Sequence, residues 1–266
     1  MDHRQARRYW NQNAEVWTRL ARAGYDVYRD QLNTPAFLEL LPPIAGLRGL
    51  DIGCGEGYNT RLLAQRAARV VAFDIAGAFV RQAKLSEDLD PIGIRYQVAS
   101  AVELPFAVAS FDFATALMSF MDIPETERVI DEAYRVLRPG GFLQFSITHP
   151  CFDTPRRRNL RDADGRTYAF EVGDYFTNLQ GEITEWLFSA TPPDIRKGLP
   201  PFKVPHFTRT LSQWLNLLLE AGFNLERVSE PRPSDEVVQQ HPNIQDAQVV
   251  AYFLQIRARK PTAAAG

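Results

Sequence analysis

The sequence predicts an α/β fold in which a largely parallel sheet carries helices on both faces. Apolar strand-like runs alternate with helical patterns from residue 47 to residue 148, the order that builds parallel sheets through crossover helices. The first of these runs passes straight into three alternate glycines, Gly53, Gly55 and Gly57, and then into a helix. With 266 residues and 45% hydrophobic content, the chain can bury one sizeable core without disulfide or metal staples.

Taken in order, residues 3 to 41 read as helical and contain Tyr9, Trp10, Trp17, Tyr25 and Tyr28. The first strand ends at Asp51 in LDIGCGEGYNT, the second is RVVAFDI (69 to 75), the third IRYQVAS (94 to 100), and the fourth opens FDFATALMSFMD (111 to 122). Asp122 and Glu125 fit a capping box with Pro124 in the first turn. Val129, Ile130, Ala133, Val136 and Leu137 form the apolar stripe of the helix that follows, and Gly140 is its expected stop. GFLQFSIT is the fifth strand. About sixty residues, His149 to Arg209, then intervene before the next helix, too long for an ordinary connection and too aromatic for disorder. Within them YFTNLQGEITEWLF reads as a hairpin and TPPDIRKGLPPFKVP as a stiff return. Thr210 and Gln213 form a second capping box ahead of Leu211, Trp214, Leu215, Leu218 and Leu219, with Gly222 at the end. Strands at about 224 to 231 and 248 to 259 close the sheet, and PTAAAG (261 to 266) reads as a disordered tail.

The glycine loop fixes the kind of ligand. Glycines let the backbone approach a ligand closely, and the following helix start offers unpaired N–H groups. The spacing is G-x-G-x-G, and Tyr58 occupies the place where a dinucleotide fingerprint requires its third glycine. Asp51, at the strand end, would repel a pyrophosphate and hold an ammonium or sulfonium. Asp74, at the tip of the second strand, is placed to accept hydrogen bonds from ribose hydroxyls. These segments, with LRPGGFL (137 to 143), resemble the motifs of the class I S-adenosylmethionine-dependent methyltransferases, over residues 47 to 149.

That resemblance implies a Rossmann-like, doubly wound seven-stranded sheet with an antiparallel last strand. It implies an N-terminal helical lid (1 to 46), a methyltransferase domain (47 to 260) and an insertion after the fifth strand (150 to 209). S-adenosyl-L-methionine is the implied cofactor, held by Asp51, Gly53, Gly55, Gly57, Asp74, Ile75, Ser100, Ala101, Val102, Leu117 and Met118. Ser100 stands where the family usually has an aspartate facing the adenine, and a neutral hydroxyl makes fewer hydrogen bonds there.

His149 follows the fifth strand and precedes Pro150, at the carboxyl edge where open α/β sheets bind ligands. A free imidazole, with a pKa of about 6.5, is suited to take a proton, and this makes His149 the candidate catalytic base. Its alternative is a hydrogen bond to a neighbouring loop. His206, Tyr168 and Trp186 are the further candidates for acceptor binding, with the insertion folding over the methyl-donating end. A contact between two copies of the chain is the insertion's alternative. The run RRRNLRDADGR (156 to 166) holds five arginines. It reads as a solvated face, with a phosphate or carboxylate clamp as its alternative.

Composition excludes several classes. A net charge of −2 gives no field that draws the chain to nucleic acid or an acidic membrane. No apolar run is long enough for a membrane span, and Cys54 and Cys151 lack metal-ligand spacing, which points to no metal and a cytoplasmic setting. The Asn/Asp-Pro-Pro-Tyr/Phe tetrad of base- and glutamine-methylating enzymes is absent, where the chain reads ALMSFM. The expected activity is methyl transfer to the N, O or C atom of a small molecule. Its rivals are a nicotinamide-dependent oxidoreductase and a non-catalytic S-adenosylmethionine-binding protein.

Overall fold

A computed structural model describes residues 1–262. Helix α1 (His3–Arg22) starts in a reciprocal capping box between Asp2 and Gln5, and a π-helical turn (Arg29–Asn33) leads into α2 (Thr34–Leu40). There follow β1 (Arg48–Ile52), α3 (Tyr58–Ala64), β2 (Arg69–Asp74), α4 (Gly77–Leu89), β3 (Arg95–Val98), β4 (Phe111–Leu117), α5 (Thr126–Val136) and β5 (Leu137–Thr148). The long excursion contains β6 (Arg156–Arg161), β7 (Thr167–Gly173), β8 (Gln180–Trp186), α6 (Pro193–Arg196) and β9 (Phe202–Phe207). The chain is completed by α7 (Leu211–Glu220), β10 (Asn224–Ser229), α8 (Asp235–Gln240) and β11 (Phe253–Arg259). No helix among the described residues is long and apolar enough to cross a membrane.

Seven strands form one sheet in the order β10-β11-β5-β4-β1-β2-β3. β11 runs antiparallel to both β5 and β10, and the other pairs are parallel, as expected of a doubly wound Rossmann-like sheet. On one face Leu50, Ile52, Ala114 and Phe145 pack with Val129, Ala133 and Trp214 of α5 and α7. On the other, Val70, Phe113 and Phe142 meet Ile44 and Leu63. Strand order reverses between β1 and β4, so a crevice opens at their carboxyl ends.

Several local expectations are corrected. Asp122 caps nothing: it ends a 3₁₀ turn (Phe120–Asp122), and α5 begins at Thr126 behind Glu125, which makes no side-chain cap. Glu125 instead reaches His3 Nδ1 at 2.8 Å. α5 ends at Val136, not near Gly140, because the backbone turns extended at Leu137 ahead of Pro139. The segment 175 to 188 is not a hairpin. β8 pairs with β9, and a separate hairpin joins β6 to β7 through Asp162 and Gly165. Local turn chemistry thus pointed to the wrong partner for β8. Residues 248 to 252 stay outside β11, since a 3₁₀ segment (Pro242–Gln248) runs up to them. The second capping box is present at Thr210 and Gln213, although Leu219 on that helix is exposed. The tail expected to be disordered lies, from residue 263 on, outside the described residues.

Candidate active site

One cavity of about 630 Å³ occupies the crevice. Its first wall is the glycine loop. Gly53 has φ +72°, and a Cβ there would lie 2.4 Å from Ser119 Cβ, so Ser119 can pack against the loop and donate to Ile52 O at 2.7 Å. At Gly55 a Cβ would meet nothing within 4 Å, which leaves open space above the loop for a ligand. Asp51 is buried on β1. Its two oxygens accept from Thr60 Oγ1 at 2.6 Å and Thr115 Oγ1 at 2.9 Å, and burial still pushes its carboxyl up.

Asp74 accepts from Gly55 N at 3.0 Å and Ala76 N at 2.8 Å, bonds that tie the tip of β2 to the glycine loop. Burial raises its carboxyl to about 6 against those two N–H groups. Ser100, beyond β3, lines the same cavity with a buried Oγ that has no partner. An orphaned hydroxyl, a carboxylate and a glycine cradle in one crevice fit the adenosine and sulfonium parts of S-adenosylmethionine. Ile75, Ala101, Leu117 and Met118 also line it. Two expected contacts do not. Gly57 precedes α3 and packs toward Tyr96, and Val102 is buried in the core beneath the sheet. The Cys54 thiol is pushed well up by burial and by the charges of Asp74 and Asp51, which makes it a poor nucleophile.

The opposite wall carries the acceptor candidates. His149 is 3% exposed and outside the cavity. Side chains alternate along a strand, so Thr148 faces the cavity and its neighbour turns away. His149 Nε2 lies 2.7 Å from Glu230 Oε1, and its Nδ1 accepts from Cys151 N at 3.2 Å. It ties loops together, which corrects the expectation of a base. Tyr168 is also excluded: it is 61% exposed, in a bulge between the pairs Leu160–Ala169 and Arg161–Thr167. Trp186 and His206 do line the cavity, together with Thr184 and Phe188. Trp17 of α1 packs edge-on against Trp186 at 5.3 Å and Phe188 at 4.9 Å, so α1 and the β8–β9 pair share one aromatic wall.

Three further acidic or basic groups line the cavity: Asp153, which the sequence reading passed over, Asp122, which it took for a cap, and Arg157, which it placed in a solvated run. His206 Nε2 sits 3.5 Å from Asp153 Oδ2, both lining the cavity. Burial pushes the Asp153 carboxyl up, but the hydrogen bond and charge of His206 outweigh it and leave Asp153 below the usual range. Asp122 also faces the cavity. Burial, then the charges of Asp153 and Asp74, hold its carboxyl well above the usual range. Arg157 of β6 lines the cavity between aromatic rings. Only the arginine run hinted at Arg157, and nothing in the sequence marked Asp153.

Comparison with known proteins agrees with this geometry. A family model described as a methyltransferase domain matches residues 50–145. A Haemophilus influenzae protein is 27% identical over 241 residues, 86% of this chain and 87% of its own length. The 27-O-demethylrifamycin SV methyltransferase of Amycolatopsis mediterranei is 40% identical over 108 residues, 39% of this chain; the match spans only 39% of that enzyme. The crystal structure of an S-adenosylmethionine-dependent methyltransferase from Mesorhizobium loti superposes with a TM-score of 0.68, at 28% identity, over 85% of this chain and 96% of that one. The family match begins within β1, just ahead of the glycine loop, and ends within β5, so it takes in the glycine loop and the tip of β2. The chain carries a methyltransferase domain over residues 50–145 and is similar over most of its length to an S-adenosylmethionine-dependent methyltransferase.

Proposed function

We propose that the protein methylates a hydroxyl oxygen of a small, largely apolar acceptor, and that His206 takes the proton. The observation that carries this reading is the His206–Asp153 pair inside the cavity that also holds the glycine loop. Bound S-adenosylmethionine supplies an electrophilic methyl on its sulfonium. Asp51, Gly53, Gly55, Asp74, Ile75, Ser100, Ala101, Leu117 and Met118 hold the cofactor. Residues 1 to 46 act as its cover, and the insertion, 150 to 209, walls the acceptor pocket of the methyltransferase domain.

At the acceptor end, Asp153 orients the His206 ring through Nε2. Nδ1 has no protein partner among the described residues and is the atom that accepts the hydroxyl proton. Trp17, Trp186 and Phe188 exclude water and offer ring faces to an apolar acceptor. The Amycolatopsis relative is named for a small molecule that lacks an O-methyl group, which supports oxygen as the acceptor atom.

His206→Ala should lower methyl transfer about 10²- to 10⁴-fold and leave S-adenosylhomocysteine affinity unchanged. Measuring product formation with a hydroxylated aromatic panel beside calorimetry of S-adenosylhomocysteine decides it. Undiminished turnover in the variant would remove His206 from the reaction.

A further inference from the structure

On β6 the side chains alternate. Arg156 and Arg158 point outward, and Arg158 pairs with Glu171 at 2.5 Å. Arg157 turns inward to the cavity. Its guanidinium lies 4.4 Å over the Tyr252 ring and 4.9 Å over the Phe170 ring, and Tyr28 stacks on Tyr252 at 4.9 Å. The two rings, set at 77° to each other, flank the guanidinium and take up none of its N–H donors. Among the described residues Arg157 has no ion pair and no hydrogen bond, unlike Arg29, the other arginine on the cavity, which is held by Asp30 and Glu56.

The two carboxylates in the neighbourhood are already engaged. Asp153 faces His206. Asp246 accepts from Tyr28 and Tyr252, each at 2.5 Å, and from Asn159 at 3.1 Å. These bonds fix Tyr252, one of the two rings against Arg157, and neither carboxylate forms an ion pair with Arg157 among the described residues.

A second donor lines the same cavity. Asn33 is fully buried, and its Oδ1 accepts from Ser146 Oγ at 2.7 Å and Gln255 Nε2 at 2.9 Å. Two donors on the oxygen fix the amide orientation and make Nδ2 the free end. Nδ2 has no partner. A buried N–H without an acceptor is costly, and a ligand oxygen would satisfy it.

Both donors belong to the wing of the sheet away from the ribose carboxylate. Tyr252 immediately precedes β11, Ser146 lies on β5, and Asp74 and Ser100 sit beyond β2 and β3 across the switch point. We propose that the acceptor carries an anionic oxygen group, carboxylate or phosphate, which docks on Arg157 with Asn33 Nδ2 as a second donor. The inference rests on the methyl-transfer reading of this cavity and adds the acceptor's chemical class: an apolar ring or chain bearing one anionic end.

The test uses the full chain loaded with S-adenosylhomocysteine and three probes, benzoate, phenyl phosphate and the neutral benzamide, with binding read by calorimetry. Wild-type protein should bind one of the anions about tenfold or more tightly than benzamide. Whichever anion wins separates carboxylate from phosphate. Arg157→Met should erase that preference while S-adenosylhomocysteine affinity stays within about twofold. Added salt should weaken the anions and not benzamide in the wild type, a readout that stands if the variant fails to fold. Equal binding of benzamide and both anions, or a preference that survives in Arg157→Met, would overturn the proposal. Loss of S-adenosylhomocysteine binding in Arg157→Met would also overturn it, by placing Arg157 on the cofactor's own carboxylate. Failure of the wild type to bind S-adenosylhomocysteine would sink the methyl-transfer reading instead, and the anion preference would still be measurable on the unloaded chain.

Discussion

The two ends of the cavity are built by different means. The proposed cofactor end is mostly backbone and one contiguous loop: Gly53 and Gly55 clear space, and Asp74 is held by the amides of Gly55 and Ala76. The proposed acceptor end is mostly side chains drawn from remote segments: Tyr28 and Asn33 near the start, Asp153, Arg157, Trp186 and His206 from the insertion, and Tyr252 near the last strand. Backbone geometry holds one ligand in one pose. Side chains from separate elements can change one at a time, so acceptor choice is free to vary while the donor stays fixed.

The contrast can be broken by substitution. At the cofactor end, Gly53→Ala should have the largest effect, because the new Cβ would sit 2.4 Å from Ser119 Cβ at φ +72°. Strain and overpacking together should cost about 2 to 4 kcal/mol of stability and abolish S-adenosylhomocysteine binding. A urea melt beside calorimetry would show both, and a variant that melts and binds normally would mean the loop is not tightly constrained.

Asp74→Asn should weaken S-adenosylhomocysteine by about 1.5 to 3 kcal/mol through loss of charge-assisted hydrogen bonds. It also carries a pH signature. Burial lifts the folded carboxyl from 3.8 to about 6, so the ligand-free native state holds this proton more tightly than the unfolded chain. That contribution to native stability is present at low pH and is lost as pH rises through this window. The ionised carboxylate is the better acceptor, so cofactor affinity should climb over the same range in the wild type. Asp26, raised to about 6 by burial on the same cavity, titrates alongside it. Subtracting the profile of Asp74→Asn isolates the Asp74 share, and identical profiles would assign the whole dependence elsewhere.

His149→Ala sharpens the boundary of the acceptor end. Removing the ring leaves Cys151 N–H without its partner and should cost about 1 to 3 kcal/mol of stability, with turnover of the folded protein unchanged. A collapse of turnover without a lower melting temperature would return His149 to the chemistry. The smallest effect belongs to Trp186→Ala. Trp186 is partly exposed and backed by Trp17 and Phe202, so a shift of about 1 kcal/mol in acceptor KM is expected, with S-adenosylhomocysteine binding unaltered.

The same contrast explains what the sequence disclosed. The sheet, the glycine loop and Asp74 were legible because each is written in adjacent residues: an apolar run, a glycine spacing, a carboxylate at a strand tip. His149 misled because proximity to a strand end says nothing about which face its side chain takes, and a one-residue step along β5 separates Thr148 in the cavity from His149 outside it. Asp122 misled in the opposite way, since its spacing to Glu125 mimics a cap while the 3₁₀ turn swings it inward. Asp153 and the inward turn of Arg157 depend on how β6–β7 and β8–β9 fold within the insertion, and Asn33 depends on Ser146 and Gln255, more than a hundred residues away, which no local pattern encodes.

Glu56 sits between two of the loop glycines, and it accepts from Arg22 Nε at 3.1 Å and Arg29 Nη1 at 3.3 Å. Those arginines end α1 and open the π-helical turn, so the cover and the loop share one half-buried charge lattice. If residues 1 to 46 cover the donor as proposed, exchange of spent donor for fresh donor parts those ion pairs, while the chemical step does not. On that reading, release of the by-product is expected to depend on this hinge of charge. Turnover would then rise with moderate ionic strength even as affinity falls, the kinetic behaviour of an enzyme that waits on its door.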